Sequence, residues 1–306
     1  MRDRLASLLV EYAENDPNAY VLSGDHGYAL FDPLRKSRPE KFVNVGIAEQ
    51  GMIGYAAGMA KMGLRPIVYG LACFIPVRVV EFIKMDICYN SYPVVLLGDG
   101  AGLVYSTLGS SHQTGEDMAV LRSLPNLTIY SPADAEELEY SFRNAMNDIK
   151  RASYIRIGKS DRPIVHKNKL DLSNTSGFFS LRESASDITI ISTGSMTSNA
   201  VTLAEKFDTN VISVVNINYF DKIELRKRIA NKKLIVIEEH GRIGGLSSSV
   251  DQLLGETDEE RKMLNLTLEN VFTKYSSSYE VALKEHGMSF GQLEAKVFNW
   301  LNGFIH

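Results

Sequence analysis

Two cysteines in 306 residues, Cys73 and Cys88, are too few for a disulfide framework or a cysteine-rich metal cluster. They fit a reducing compartment, where buried thiols are the usual case, and the expected location is the cytoplasm. No apolar run approaches the ~20 residues needed to span a bilayer, so a membrane is not an expected partner. Lysine and arginine nowhere gather into a dense block and the formal net charge is −4, which argues against nucleic acid as well. Internal repeats, low-complexity tracts and coiled-coil heptads are missing. So is the pattern of a signal peptide. Arg2, Asp3 and Arg4 are followed by Leu5, Leu8, Leu9 and Tyr12 at helical spacing, with Glu11 and Glu14 between them, which reads as an amphipathic helix.

What is present is a chain with 44% hydrophobic and 23% charged residues, enough for a sizeable core and long enough for two domains. Short apolar strands are expected at 20–22, 42–45, 66–69, 94–97, 127–130 and 154–157. Helical patterns separate them at 47–62, 77–88, 116–121 and 133–149, the last capped by Ser131 with Pro132 at its first position. Such alternation predicts an α/β fold of two domains, each a mainly parallel sheet with helices on both faces. The first domain is expected over 1–163. A polar, turn-rich stretch at 164–186 reads as a linker in which 178–181 can form a strand. A second, smaller α/β domain follows over 187–306, with strands at 188–192, 210–214, 234–237 and 267–271 and helices near 197–206, 225–229, 245–254, 278–286 and 291–301.

The stretch from Phe42 to Met52 carries the most chemistry. A short strand turns at once into a helix whose first turn holds a single carboxylate, Glu49. From Met52 to Met62 the only charge is Lys61, and Gly51, Gly54, Ala56, Ala57, Gly58 and Ala60 keep the helix thin. A thin helix can pack against another backbone or a flat ligand, leaving Glu49 poorly solvated and inclined to share a proton with a partner. The plainer reading is that Glu49 complements the helix dipole.

Ala48-Glu49-Gln50 resembles the pyrimidine-binding domain of thiamine-diphosphate enzymes, specifically the transketolase family. The resemblance implies that Glu49 hydrogen-bonds a ring nitrogen of the cofactor's aminopyrimidine and favours its imino tautomer. Ala101-Gly102 through Ser111-His112-Gln113 is similar, without gaps, to the family segment A-G-x-x-x-G-E-D-G-x-T-H-Q, which makes His112 a catalytic and substrate-binding residue. Gly98-Asp99-Gly100, with Asn126 at metal-motif spacing, is then read as coincidence, and no metal ligand is expected in this chain. Phe74 lies near the aromatic that stacks on the aminopyrimidine in relatives. The resemblance implies Asp25 and Ile47 as further cofactor contacts, Asp25 by its match to an A-D-L segment.

Departures from the pattern bear on substrate. The acidic pair that precedes G-x-T-H-Q is here Thr107-Leu108, and a phosphate-binding histidine is replaced by Gly100. A sugar hydroxyl left unpaired against Leu108 would be discriminated against, so standard pentose phosphates are not expected. Lys159 stands where the family has a phosphate-contacting arginine. His26 has no family counterpart and is a candidate replacement for lost substrate contacts. Arg78 and Glu81 are expected to be structural or interfacial. In the second domain, Thr193-Gly194-Ser195, Glu238-Glu239-His240 and Gly244-Gly245-Leu246 resemble family signatures that are chiefly structural and dimer-forming.

The resemblance covers the second half of a full-length transketolase, without the diphosphate-binding domain. It implies a β-type subunit of an α₂β₂ assembly whose partner carries thiamine diphosphate with Mg2+ or Ca2+. The implied reaction moves a two-carbon ketol unit from a ketose-like donor to an aldehyde. A 2-oxoacid dehydrogenase β chain and a non-catalytic regulatory chain are the competing readings.

Overall fold

The computed structural model describes residues 1–230, 233–256 and 262–303. The first domain runs α1 (Arg2–Asn15), β1 (Ala19–Ser23), α2 (Tyr28–Ser37), β2 (Phe42–Asn44), α3 (Glu49–Lys61), β3 (Arg65–Leu71), α4 (Val80–Phe82), β4 (Val95–Asp99), α5 (Asp117–Arg122), β5 (Leu127–Tyr130), α6 (Ala135–Asn147) and β6 (Ala152–Ile157). Its six strands are all parallel, in the order β2-β1-β3-β4-β6-β5. Because side chains alternate across a strand, Val95 and Leu97 enter one core with Leu8, Phe31 and Phe142, while Leu96 enters the other with Met52, Ile83 and Tyr154. Burial on both faces explains why these strands read as continuous apolar runs.

The second domain comprises β7 (Phe178–Arg182), β8 (Ile188–Ser192), α7 (Thr197–Phe207), β9 (Asn210–Val214), α8 (Lys222–Ile229), β10 (Lys233–Gly241), α9 (Leu246–Gly255), β11 (Met263–Leu268), α10 (Tyr279–Glu285) and α11 (Phe290–Leu301). Its sheet has the order β11-β10-β8-β9-β7, with only β7 antiparallel. The α/β class and the mainly parallel sheets are as the alternation implied. By Phe178 the chain has already joined the second sheet as an edge strand, within the stretch read as linker.

Five local expectations need correction. Helix α6 begins at Ala135 because Asp134, not Ser131, caps it, accepting the N–H groups of Glu136 and Glu137 at 3.0 and 3.1 Å. Ser131 is instead spent on the second domain, donating its N–H to the Val215 carbonyl. Strand β11 lies at Met263–Leu268 rather than 267–271, since parallel pairing with β10 puts Leu264 and Leu266 beside Ile235 and Ile237. Helix α2 escapes the sequence pattern because Pro33 sits inside it, yet Leu30, Phe31 and Leu34 bury its inner face. The helical pattern at 77–88 is a composite: a 3-10 turn at Val77–Val79, then α4, then a π-helical stretch at Ile83–Cys88. Finally, the helix expected from Ile47 begins only at Glu49, since Gly46 turns the chain with φ of 73°.

The strand order places the site. From β1 the chain goes outward to β2, then crosses back to β3 on the other side of β1. Loops leaving the carboxyl ends of β1 and β3 therefore diverge and open a crevice, the position where parallel α/β sheets bind ligands. Among the described residues no helix is long and apolar enough to cross a membrane.

Candidate active site

Five side chains from four loops converge on that crevice. Phe74, in the loop after β3, is the hub. Its ring centroid lies 5.4 Å from that of His112, edge to face, and 6.2 Å from that of His26. The Arg78 guanidinium stands over the same ring at 4.0 Å and reaches on to Glu49, where Nη1 donates to Oε2 at 3.3 Å. Glu49, at the uncapped start of α3, has a side chain only 4% exposed, and its Oε1 is buried without a hydrogen-bond partner. An orphaned buried carboxylate oxygen is costly and leaves a hydrogen bond to be made there. Arg78, expected to be structural or interfacial, is the residue that links the carboxylate to the aromatic. Its position four residues after Phe74, at the start of a helix, was the available signal.

The neighbouring loop is pinned by a relay of short polar contacts. Asp25, in a left-handed conformation at φ 65°, accepts from the Asn44 amide at 2.9 Å, and Asn44 Oδ1 accepts the Gly46 N–H at 2.9 Å. Asp25 thus braces the turn leading to Glu49. Ile47 is 77% exposed at that turn. On α3 the residues Met52, Ile53 and Ala56 are buried, while Gly54 and Gly58 face open space and Tyr55 is exposed. His26 Nε2 is a second buried atom without a partner beside Phe74.

His112 closes a loop of two 3-10 turns, Ser106–Leu108 and Ser110–His112. The Ser111 hydroxyl lies 2.9 Å from His112 Nδ1, which leaves Nε2 as the nitrogen available to a ligand. Leu108 is exposed on the same loop. Lys159 lies elsewhere, at the domain junction. Its ammonium is paired with Asp161 at 2.8 Å, and its backbone N–H donates to Ser195 Oγ at 2.9 Å.

Asp99 has a different occupation. It accepts from the hydroxyls of Tyr69 at 2.9 Å and Tyr105 at 2.8 Å. Burial, reinforced by the Asp99 charge, raises both phenols above their ordinary value, so both stay protonated donors. Gly100 is dictated by the same arrangement: at φ 73° its Cβ would sit 1.9 Å from the Tyr105 ring. Asn126 binds the Cys88 carbonyl and Ser91 hydroxyl at the amino end of β5, the opposite edge of the sheet. Strands of this length separate the two edges by about 15 Å, too far for one ion. No group of three or more metal-ligating side chains occurs among the described residues.

The second-domain signatures build the junction. Glu238 accepts the Leu246 and Ser247 N–H groups at the start of α9, both at 2.7 Å, while Glu239 accepts the Leu103 N–H at 2.7 Å and the Tyr279 hydroxyl at 2.5 Å. Burial pushes the Glu238 carboxyl up to about 7 and the His240 imidazole down to about 4. Thr193 donates its hydroxyl to the Ser131 carbonyl at 3.0 Å. Glu238 thus caps α9 within the second domain, while Glu239 and Thr193 tie the two domains together.

Fold and crevice define a class: a two-domain α/β protein whose parallel sheet presents a buried acid, an aromatic and two histidines at its switch point. Residues 1–163 match the model described as transketolase, pyrimidine binding domain, and residues 179–292 that of transketolase, C-terminal domain. The chain belongs to the transketolase family. It is 31% identical over 287 residues to an apulose-4-phosphate transketolase subunit from Phocaeicola vulgatus, covering 92% of this chain and 91% of that protein. It is 30% identical over 263 residues to the 6-deoxy-6-sulfo-D-fructose transketolase subunit SqwH of a Clostridium species, covering 84% and 81%. A solved structure of a split gene transketolase, an inactive beta4 tetramer, is similar with a TM-score of 0.86 and 29% identity over 97% of both chains.

Proposed function

We propose that this chain is the β-type subunit of a heteromeric, thiamine-diphosphate-dependent transketolase that moves a two-carbon ketol unit from a ketose-like donor to an aldehyde. The observation that carries this reading is the unpartnered, buried Oε1 of Glu49 beside Phe74 and His112. A flat aminopyrimidine fits there, since its ring nitrogen would satisfy Oε1 and the partly exposed Phe74 ring stands beside it for stacking. Arg78 covers one face of that ring. When bound, the cofactor supplies the electron sink for breaking a carbon–carbon bond beside a carbonyl.

The chain's own residues do the rest. Glu49 offers Oε1 to share a proton with the ring nitrogen, while Arg78 fixes the carboxyl group through Oε2. Asp25 and Asn44 keep the turn before Glu49 from opening, with Ile47 at its exposed corner for the cofactor. His112 offers Nε2 to a substrate oxygen, and His26 offers a second imidazole beside Phe74. Leu108 brings no acceptor to the substrate side, and Tyr105 fills the space above Gly100. Both features disfavour the standard pentose phosphates. The names of two relatives, apulose-4-phosphate and 6-deoxy-6-sulfo-D-fructose transketolases, support an unusual sugar and favour ketol transfer over the 2-oxoacid dehydrogenase reading. Lys159 can serve as an anion contact only by leaving Asp161.

The diphosphate and its divalent ion have no built site among the described residues, which supports a second polypeptide that brings them. The open glycine face of α3 beside Glu49 is a surface such a partner could close. The assembly we infer is α₂β₂, and the solved split-gene relative, a beta4 tetramer, is inactive. Glu49→Gln tests the reading. In the complex reconstituted with the diphosphate-binding partner, turnover should fall by about 10²–10⁴-fold, as for loss of a general acid–base group, with fold and assembly unchanged. Turnover near the native value refutes it.

A further inference from the structure

We propose that Thr273, in the second domain, is the positioning residue for His112. The proposal rests on the reading of His112 as the residue that meets substrate. Its carrier loop has no strand or long helix to stiffen it, yet a catalytic imidazole must be held to about half an ångström. Thr273 ties the loop on both sides of His112. Its carbonyl accepts the Ser110 hydroxyl at 3.2 Å, and its own hydroxyl donates to Gln113 Oε1 at 2.6 Å.

The hydroxyl is itself oriented. Thr273 Oγ1 lies 3.3 Å from Nε2 of His286, a residue only 3% exposed. A hydroxyl can both give and receive a hydrogen bond, so Gln113 and His286 on its two sides fix its direction. Two neighbours extend the same template. The Ser277 N–H donates to the Ser106 carbonyl at 3.2 Å, and a Cβ on Gly109 would lie 2.7 Å from Ser276 Oγ. The segment between β11 and α10 is thus the mould on which the His112 loop is set.

Packing alone does not fix this loop. A cavity of about 390 Å³ opens against Ser110, Gln113 and His286, and Gln113 Nε2 is buried there without a partner. With room to shift into, the loop depends on its hydrogen bonds. The second domain thereby takes a part in catalysis, exerted across 161 residues of sequence from His112 to Thr273 (273 − 112).

Thr273→Val keeps the shape and removes the hydroxyl, and Thr273→Ser keeps the hydroxyl. In the isolated full chain, hydrogen exchange over residues 103–115 should quicken about tenfold in the valine variant and stay within about twofold of native in the serine variant. In the reconstituted complex, kcat should fall about tenfold with KM nearly unchanged for valine, and serine should rescue it. If the valine variant fails to fold, Ser110→Ala severs the other tether and is read in the same way. Native exchange in the loop, faster exchange with unchanged kcat, or a serine variant as impaired as valine overturns the positioning role. Native activity of His112→Ala in the same complex would instead overturn the reading of His112 itself.

Discussion

Asp117→Asn should cost this protein about 3–5 kcal/mol, the usual penalty for stripping the partner from a buried charge. Asp117 opens α5 with a side chain 0% exposed, against an Arg156 side chain 2% exposed. Its Oδ2 accepts from Arg156 Nε at 2.9 Å and from the Tyr154 hydroxyl at 2.8 Å. Arg156 Nη2 continues to the Glu239 carbonyl at 2.8 Å, so the pair stands where the two domains meet. His240 Nε2 is 3.7 Å from Asp117, but burial holds that imidazole near about 4 and therefore neutral at pH 7. Arg156 is then the cation that balances this carboxylate. Asparagine preserves volume and leaves the guanidinium unbalanced in a buried site. Against a typical stability of about 5–15 kcal/mol, that loss takes a third or more of the total. Urea unfolding at pH 7 measures it, with far-UV circular dichroism for the whole chain and fluorescence of the single tryptophan, Trp300, for the second domain. The double variant Asp117→Leu/Arg156→Met should be less destabilised than either single change, because a pair removed together leaves no orphan charge. A cost below about 1 kcal/mol for Asp117→Asn, or single costs that simply add, would refute the reasoning.

Burial lowers the His166 imidazole, but the hydrogen bond and charge of Glu137, 2.8 Å away, outweigh it and raise the group above its ordinary 6.5. The contribution of this clasp is complete below pH 6.5 and is lost as pH climbs through the raised value. Hydrogen exchange in 164–177 should quicken as pH rises through that raised value in the native chain; the same pH response in His166→Gln would exclude the clasp. Gly109, at φ 80° and ψ −174°, occupies backbone space that is nearly glycine's alone. Gly109→Ala should cost about 1–3 kcal/mol in thermal unfolding and lower turnover more than stability, and a neutral substitution would show that the loop can be rebuilt.

Much of this architecture is legible in the chain. The apolar runs at 94–97 and 154–157 signal a sheet buried on both faces, because burial on both sides removes the need for polar alternation. Glu49 stands out as one carboxylate in a helix otherwise almost free of charge. The elements that mislead are those whose signal competes with a stronger local rule. Pro33 disguises α2, yet the helix persists because the apolar face of Leu30, Phe31 and Leu34 compensates for what the proline takes away. Ser131-Pro132 looks like a helix start, but the capping is done by Asp134 three residues later. Strand β11 is displaced because its register is set by β10, not by its own composition.

The α/β class, the alternation of elements, the residue types of a cofactor site and the departures at Gly100 and Leu108 all lie open in the order of the amino acids. These are local properties: periodicity states which face is apolar, and a motif states which groups are adjacent in the chain. Who meets whom is a matter of packing in three dimensions. It set Arg78 between Glu49 and Phe74, engaged Asp99 with two tyrosines at the far edge from Asn126, and tied the His112 loop to Thr273. Hydrogen-bond partners separated by 160 residues or more are chosen by how loops pack at a sheet's edge, and that choice leaves no periodic trace in the chain.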